Sequence, residues 1–189
     1  MNCRKGHRAG GFSLLELMIV VGILLVVAAM AIPKLMTTLA DVKLRGAINS
    51  ASGIIQQARM MAIKDDKQRQ VKYSNASYGG VIFVDTDSNG AASATEPQAL
   101  LGATILAYSA PTGLAALDNA KLGYSPVTAT TITYNSRGLP CSSSTNCGVG
   151  MVFYFTDSRT VGSPGWGAVS VSPAGRIKTW LWSGATWSD

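Results

Sequence analysis

The hydrophobic pattern first marks a long apolar segment near the N-terminus. Residues 17–32 contain no charged side chain, and the apolar stretch that includes them covers residues 12–35. As an α-helix this stretch would be roughly 36 Å long, at about 1.5 Å per residue, which is enough to cross the hydrocarbon core of a bilayer. The pattern therefore predicts a membrane-spanning helix over residues 12–35.

A second, amphipathic helix is predicted over residues 36–68. Its apolar positions recur at spacings of three and four, the period of one helix face. These positions are Ile48, Ala51, Ile55, Ala58 and Ala62. Together the two segments would form one helix of about 55 residues, roughly 80 Å long, that Pro33 bends or loosens because proline lacks the N–H of an interior turn. We expect the apolar face to lie on a sheet.

The remaining residues, 69–189, change to short β-type runs separated by glycine, proline, asparagine and serine. The predicted strands cover residues 70–73, 78–84, 99–108, 130–134, 149–155, 167–171 and 176–182. Turn sequences at residues 135–140, 162–165 and 172–175 separate several of them. Closely spaced strands favour antiparallel pairing. The sequence thus predicts an α+β fold, with the long N-terminal helix packed on a C-terminal antiparallel β-sheet head.

One carboxylate, Glu16, stands at the start of the apolar segment, in the run GFSLLE at residues 11–16. A charged side chain within a membrane helix costs about 2.5–3.5 kcal/mol on insertion scales, so it needs a partner or an interfacial position. Cleavage between Gly11 and Phe12 would create an amino group on Phe12 at the same depth. Glu16 would then be placed to meet that amino group on a neighbouring subunit.

At these residues the sequence resembles the type IV pilin superfamily, whose prepilin peptidase cleaves after the glycine of G-F-[ST]-L-x-E and methylates the new N-terminal residue. The resemblance implies cleavage after Gly11 of a basic leader (residues 1–11), N-methylation of Phe12, an assembly role for Glu16, and Pro33 as a helix-disturbing proline. It also implies an inner-membrane protein with a periplasmic head, extracytoplasmic once assembled, whose partners are the peptidase and other pilins or pseudopilins. In the head, the turns at residues 135–138 and 172–176 resemble the GspH/FimT group of minor pilins and pseudopilins.

Two other interpretations of the N-terminus stay open. Residues 29–31, Ala-Met-Ala, would serve as the cleavage site of a secretory signal peptide, although such a peptide has a shorter apolar core and no use for Glu16. The other interpretation is a plain N-terminal anchor that keeps its first residues. In all three cases the basic leader stays in the cytoplasm and the residues after Pro33 face the other side.

Charge argues against a protein that coats nucleic acid. The formal net charge of +6 falls to +3 when Arg4, Lys5 and Arg8 leave with the leader. Beyond Arg69, six basic residues balance six acidic ones. The head therefore lacks the broad basic surface that binds DNA.

Two cysteines, Cys141 and Cys147, remain once Cys3 has left with the leader. Five small or polar residues separate them, and in an oxidising compartment such a pair closes a small disulfide loop. A metal site is disfavoured because no histidine or third cysteine survives to complete a ligand set. We therefore predict a disulfide.

One loop matches the calcium-binding pattern D-x-[DN]-x-[DN]-G-x5-E, through Asp85, Asp87, Asn89, Gly90 and Glu96. The context differs from that of an EF-hand, because a strand precedes the loop and a proline follows it. An acidic turn between strands, stabilised by local hydrogen bonds, is the simpler interpretation. Calcium is kept as the less favoured alternative, and no other cofactor is expected.

The final predicted strand alternates so that Arg176, Lys178, Trp180 and Trp182 share one face. Two cations beside two indoles would grip a nucleic-acid strand by phosphate pairing and base stacking. The sequence GRIK at residues 175–178 resembles a basic G-R-x-R pattern associated with DNA uptake in some FimT-like minor pilins, although lysine lacks the planar fork of the last arginine. The simpler interpretation, which we favour, buries the tryptophans in the core.

Catalysis is disfavoured by the residue types that are missing. His7 is the only histidine and lies in the leader, so a processed chain has no imidazole base for a Ser-His-Asp or Cys-His arrangement. No glycine-rich phosphate-binding motif is present. The sequence predicts a structural subunit of a type II secretion pseudopilus or a type IV pilus rather than an enzyme. A DNA-binding minor pilin is the alternative.

Overall fold

A computed structural model describes residues 12–76, 79–108, 110–143, 145–159, 163 and 165–189. The leader, including Gly11, lies outside the described residues. So do Tyr78, the first residue of one predicted strand, and Gly162 and Pro164 of one predicted turn.

The apolar and amphipathic segments form one helix, α1 (Leu14–Lys64), of 51 residues. Ser13 caps its N-terminus, since the Ser13 Oγ accepts a hydrogen bond from the backbone N–H of Glu16 at 3.2 Å. The helix continues through Pro33, where the carbonyl oxygen of Ala29 loses its usual donor. The helix ends at Lys64, and Asp65 is its C-cap residue, four residues before the first strand begins at Arg69.

The two halves of α1 have different surroundings. Its first half contains an apolar window long enough to cross a membrane, and no residue of that window is buried. Its second half packs on the head with one face, which contains all five predicted positions and three more. The buried residues are Leu44, Ala47, Ile48, Ala51, Ile54, Ile55, Ala58 and Ala62.

The head contains eleven strands and one short helix in the described residues. They are β1 (Arg69–Ala76), β2 (Gly79–Asp85), β3 (Gln98–Gly102), β4 (Ile105–Tyr108), α2 (Asn119–Leu122), β5 (Val127–Thr128), β6 (Thr131–Tyr134), β7 (Pro140–Cys141), β8 (Met151–Asp157), β9 (Trp166–Val171), β10 (Ile177–Trp182) and β11 (Trp187–Ser188). One sheet has the order β3-β2-β1-β6-β7 and the other β11-β10-β9-β8-β4. Neighbouring strands in both orders are antiparallel, as predicted, whereas β5 joins β8 in parallel.

The single strand predicted over residues 99–108 is wrong. The chain turns after Gly102, whose φ of 99° favours glycine, and the two halves join different sheets. Strand β3 pairs with β2 in the first sheet, and β4 pairs with β8 in the second. The turn therefore carries the chain from one sheet to the other.

Two hydrophobic cores lie on opposite faces of the second sheet. The first fills the space between α1 and both sheets, and includes Phe153, Val169 and Tyr134. The second lies on the outer face, where residues 110–126 cross the sheet. Its buried members are Leu117, Val152, Tyr154, Trp166, Ala168, Trp180 and Trp187. Strands β8 and β9 are consequently buried on both faces.

Candidate functional site

The exposed half of α1 carries most of the exposed large apolar side chains in the described residues. Its large side chains are mostly more than half exposed, including Leu14 at 77% and Met30 at 78%. Soluble monomers rarely expose a continuous apolar surface of this extent, so a membrane or partner subunits must cover it. Two of the predicted site residues, Phe12 and Glu16, lie at its start, and Pro33 lies within it.

Glu16 occupies the first turn of α1, where a negative charge is favoured by the helix dipole. Its side chain is exposed, and no described residue forms an ion pair with it. Phe12 lies four residues earlier, just before the N-cap residue Ser13. Within one copy of the chain, the acid thus has no partner among the described residues and faces outward.

Arg59 fastens the second half of α1 to the head. Its guanidinium donates from Nε to the carbonyl oxygen of Gly138 at 3.1 Å, and from Nη1 to that of Gly175 at 2.9 Å. A third bond runs from Nη2 to the carbonyl oxygen of Ala174 at 3.2 Å. Gly138 follows β6 in the first sheet and Gly175 precedes β10 in the second, so one side chain joins the helix to both sheets.

Arg159 makes a second connection between α1 and the head. Its Nη2 lies 2.8 Å from Asp41 Oδ1 on the helix, and its Nε lies 2.8 Å from Asp157 Oδ1 at the end of β8. Asp41 is largely exposed, which limits the stabilisation that this ion pair provides. The buried carboxylate of Asp157 is the stronger partner.

Cys141 and Cys147 form a disulfide, which confirms the predicted bond. The loop that it closes is also held by a hydrogen bond from the backbone N–H of Ser142 to the carbonyl oxygen of Asn146 at 3.0 Å. Cys141 belongs to β7 at the edge of the first sheet. The disulfide therefore fixes a loop at the edge of the first sheet.

The predicted calcium loop connects β2 to β3 and brings its acids together. One carboxylate oxygen from each of Asp85, Asp87 and Glu96 lies within 4.8 Å of the other two. Asn89, the fourth predicted ligand, donates from its Nδ2 to Asp87 Oδ2 at 2.7 Å and accepts from the backbone N–H of Ala91. Asp85 and Glu96 are buried, whereas Asp87 is exposed.

Both buried acids of this loop remain ionised to lower pH than usual. Burial opposes ionisation of Asp85, but hydrogen bonds from Lys72 and from the Gly90 backbone outweigh it, so the pKa of Asp85 lies below its ordinary value. Burial likewise opposes ionisation of Glu96, yet bonds from Thr86 and Ser93 hold the pKa of Glu96 below its ordinary value. The carboxylates are therefore present as anions at neutral pH.

The last strand keeps the predicted alternation. Ile177 and Leu181 pack on the first core, and Trp180 is buried in the second, with its Nε1 donating to Ser170 Oγ at 2.8 Å. Trp182 is half-buried, and its ring meets that of Trp187 edge-on at 5.4 Å between centroids. The tryptophans of this face therefore serve mainly as packing groups.

The two cations of the same face differ in their surroundings. Lys178 pairs with Asp189 at 2.7 Å, and its ammonium group lies 5.2 Å from the centre of the Trp180 ring. Arg176 is exposed in the turn before β10. Both line a cavity of about 210 Å³, together with Lys121 and Tyr124. Trp180 also lines this cavity, but it is only 5% exposed, so the cavity offers a small basic patch and little indole surface.

Two family models match the chain. The prokaryotic N-terminal methylation motif matches residues 6–32, which include the predicted cleavage site after Gly11 and the first turns of α1. The type II transport protein GspH family matches residues 47–175, which cover the second half of α1 and most of the head. Together they define the class, a type IV pilin-like protein with a helical N-terminus and a β-sheet head. Because the second match covers more than half of the sequence, the chain belongs to the type II transport protein GspH family.

Two crystal structures of the type IV minor pilin FimU from Pseudomonas aeruginosa (strain PAO1) are also similar to the chain. One has 15% sequence identity and a TM-score of 0.48, over 79% of this chain and 95% of that one. The other has 16% identity and a TM-score of 0.46, over 77% and 98%. Comparison with curated protein sequences gives no match.

Proposed function

We propose that this structural subunit is cleaved after Gly11, N-methylated on Phe12, and assembled from the inner membrane into a type II secretion pseudopilus or a type IV pilus. The observation that carries the proposal is the exposed apolar half of α1 with a single acid in its first turn. The match to the N-terminal methylation motif supports it. The head would then lie on the periplasmic side and become extracytoplasmic in the filament.

The role of Glu16 follows from its surroundings. In a bundle of such helices the acid would lie among apolar side chains, at a cost of about 2.5–3.5 kcal/mol if unpaired. A methylated amino group on Phe12 of a neighbouring subunit would offset this cost, because it places a positive charge at the same level. The pairing would also fix the axial position of each new subunit relative to the one before it.

The head would provide lateral contacts and would not be a catalyst. Its buried acids are engaged by hydrogen bonds: Glu96 by Thr86 and Ser93, Asp85 by Lys72 and Gly90, and Asp157 by Arg159. DNA binding has less support. Trp180 is buried, and Lys178 is paired with Asp189, which leaves Arg176 as the exposed cation of the predicted face in the described residues.

Processing tests the proposal directly. The full chain should be expressed with a prepilin peptidase and its intact mass and N-terminal sequence determined. We expect a mature protein that begins at Phe12 and carries one additional methyl group. A mature chain that begins at Ile32, or one that retains Met1, would show that the N-terminus is a signal peptide or a plain anchor.

A further inference from the structure

The loop between β2 and β3 contains a buried oxygen atom without a donor. Asp85 is 3% exposed, and its Oδ2 accepts hydrogen bonds from Lys72 Nζ at 2.7 Å and from the backbone N–H of Gly90 at 3.0 Å. Its Oδ1 is buried and accepts no hydrogen bond within the described part of the chain. A buried carboxylate oxygen without a partner is costly, so it indicates a missing cation or donor.

The neighbouring acids are held beside Asp85 by the loop itself. Glu96 accepts from the backbone N–H of Thr86 at 2.7 Å through Oε1, and from that of Ser93 at 3.1 Å through Oε2. Asp87 accepts from the backbone N–H of Asn89. These bonds fix the carboxylates without neutralising them, because backbone donors carry no net charge.

Charge in the loop is unbalanced. Three carboxylates converge, and Lys72 is the cation that pairs with one of them in the described residues. Arg69 is near, but it donates to the carbonyl oxygen of Thr86 and pairs with Asp65 on the other side. A further positive charge of two units would balance the cluster better than Lys72 does by itself.

The spacing of the oxygens fits one ion. Calcium binds oxygen ligands at about 2.3–2.6 Å, so two ligands on opposite sides of the ion lie about 5 Å apart. The three carboxylate oxygens lie within 4.8 Å of one another. The geometry also agrees with the calcium-binding pattern. Gly90, at the sixth position of the pattern, donates a backbone hydrogen bond to Asp85 at the first position. Its φ of 77° is the positive value that the sharp turn requires.

We propose that this loop binds a divalent cation of the calcium class through Asp85 Oδ1, Asp87 and Glu96, with the side-chain oxygen of Asn89 as a further ligand. The loop lies between strands and not between the helices of an EF-hand, but this does not prevent binding, because the proposed ligands all lie in the loop. Calcium is favoured over magnesium because its larger, less regular coordination shell accepts an uneven set of carboxylate and amide oxygens, whereas magnesium needs near-ideal octahedral geometry. Lys72 contacts the other oxygen of Asp85 and will weaken binding, which indicates a dissociation constant on the order of 10⁻⁴–10⁻³ M.

The test is calorimetric titration of CaCl₂ into the full-length protein in detergent, after removal of metal with EGTA. We expect one saturable site and a rise in melting temperature with calcium. Asp87→Asn should weaken binding at least about tenfold, because it removes a charged ligand from an exposed position where folding does not depend on it. Asp118→Asn is the matched control, an exposed acid at the N-cap of α2 where asparagine caps equally well.

A second variant tests the site independently of its exposed ligand. Lys72→Gln should tighten calcium binding, because it removes the competing charge from Asp85. Unchanged or weaker binding in this variant would count against Asp85 as a ligand. No saturable calcium binding by the wild-type protein up to about 10 mM, equal affinity in Asp87→Asn, or tighter binding of MgCl₂ than of CaCl₂ would overturn the proposal.

Discussion

Arg59 donates a hydrogen bond to the carbonyl oxygen of Gly175 at 2.9 Å, across 116 residues of sequence. Gly175 has a φ of 81°, and a Cβ at this position would lie 2.8 Å from the Arg59 guanidinium. The same side chain reaches Gly138, which has a φ of 73° and no room for a Cβ beside Ile63. Each of the two head turns that resemble GspH/FimT proteins thus contains a glycine that lets its backbone approach Arg59.

Arg59→Ala should lower the free energy of unfolding by roughly 2–3 kcal/mol. A hydrogen bond to a charged group contributes about 1.5–3 kcal/mol, and the change removes three bonds that are only partly shielded from water. Urea denaturation measures the effect. The control is Gln57→Ala on the exposed side of the same helix, where we expect a change within about 0.5 kcal/mol. Equal effects of the two substitutions would show that the hydrogen bonds of Arg59 do not stabilise the packing of α1 on the head.

The lowered pKa values of the buried acids Asp85 and Glu96 predict that the head becomes less stable at acidic pH. Because their pKa values are lowered on folding, the unfolded chain binds more protons, and stability falls as pH decreases. Their contribution is complete above the ordinary carboxyl pKa, near pH 4–4.5, and is lost as pH falls through the lowered values. Urea denaturation between neutral and acidic pH, in the presence of EGTA, measures this dependence.

Glu96→Gln should flatten that pH dependence, and Asp118→Asn, at an exposed position, should leave it unchanged. Glutamine keeps the shape and one acceptor oxygen but cannot release a proton. A pH profile of Glu96→Gln that matches the wild-type profile would mean that the loop hydrogen bonds do not stabilise the ionised acid.

Trp180 distinguishes a structural head from a DNA-binding one. Because its side chain is buried in the second core, Trp180→Ala should cost roughly 3–5 kcal/mol of stability. Arg176→Ala with Lys178→Ala should leave the melting temperature nearly unchanged, and the wild-type protein should not bind DNA. Gel-shift titration at several salt concentrations measures binding. Salt-sensitive binding that the double substitution abolishes would support the DNA-binding alternative instead.

The sequence pattern predicts the structure best where one face of a helix or strand packs on a single core. The period of three and four in α1 identifies Ile48, Ala51 and Ile55 because that face rests on the sheets. Alternation likewise predicts the two faces of β10. It does not show that the Trp180 face is covered, since residues 110–126, which cover it, have no clear period. Trp187, in a two-residue strand, is too isolated for pattern analysis, although its Nε1 donates to Ala115 in this core.

Two features are not predicted by the sequence: the hydrogen bonds of Arg59 to the head, and the passage of the chain from one sheet to the other after Gly102. Both depend on contacts between distant residues. In the helix pattern, Arg59 is only a polar position beside the apolar face. Nothing local indicates that two turns, 79 and 116 residues away, present carbonyl oxygens to it. Similarly, residues 99–108 are mostly apolar, and Gly102 by itself does not show that their halves pair with β2 in one sheet and with β8 in the other.

Assembly of a Glu16→Ala variant tests the central claim most directly. The variant should be cleaved and inserted in the membrane normally, but its incorporation into filaments with partner pilins, measured by co-purification, should fall at least about tenfold. The reason is that the amino group of a neighbouring Phe12 would lie unpaired in apolar surroundings, at a cost of about 2.5–3.5 kcal/mol. Asp66→Asn, an exposed acid beyond the end of α1, is the control and should assemble normally. Normal incorporation of Glu16→Ala would contradict the account.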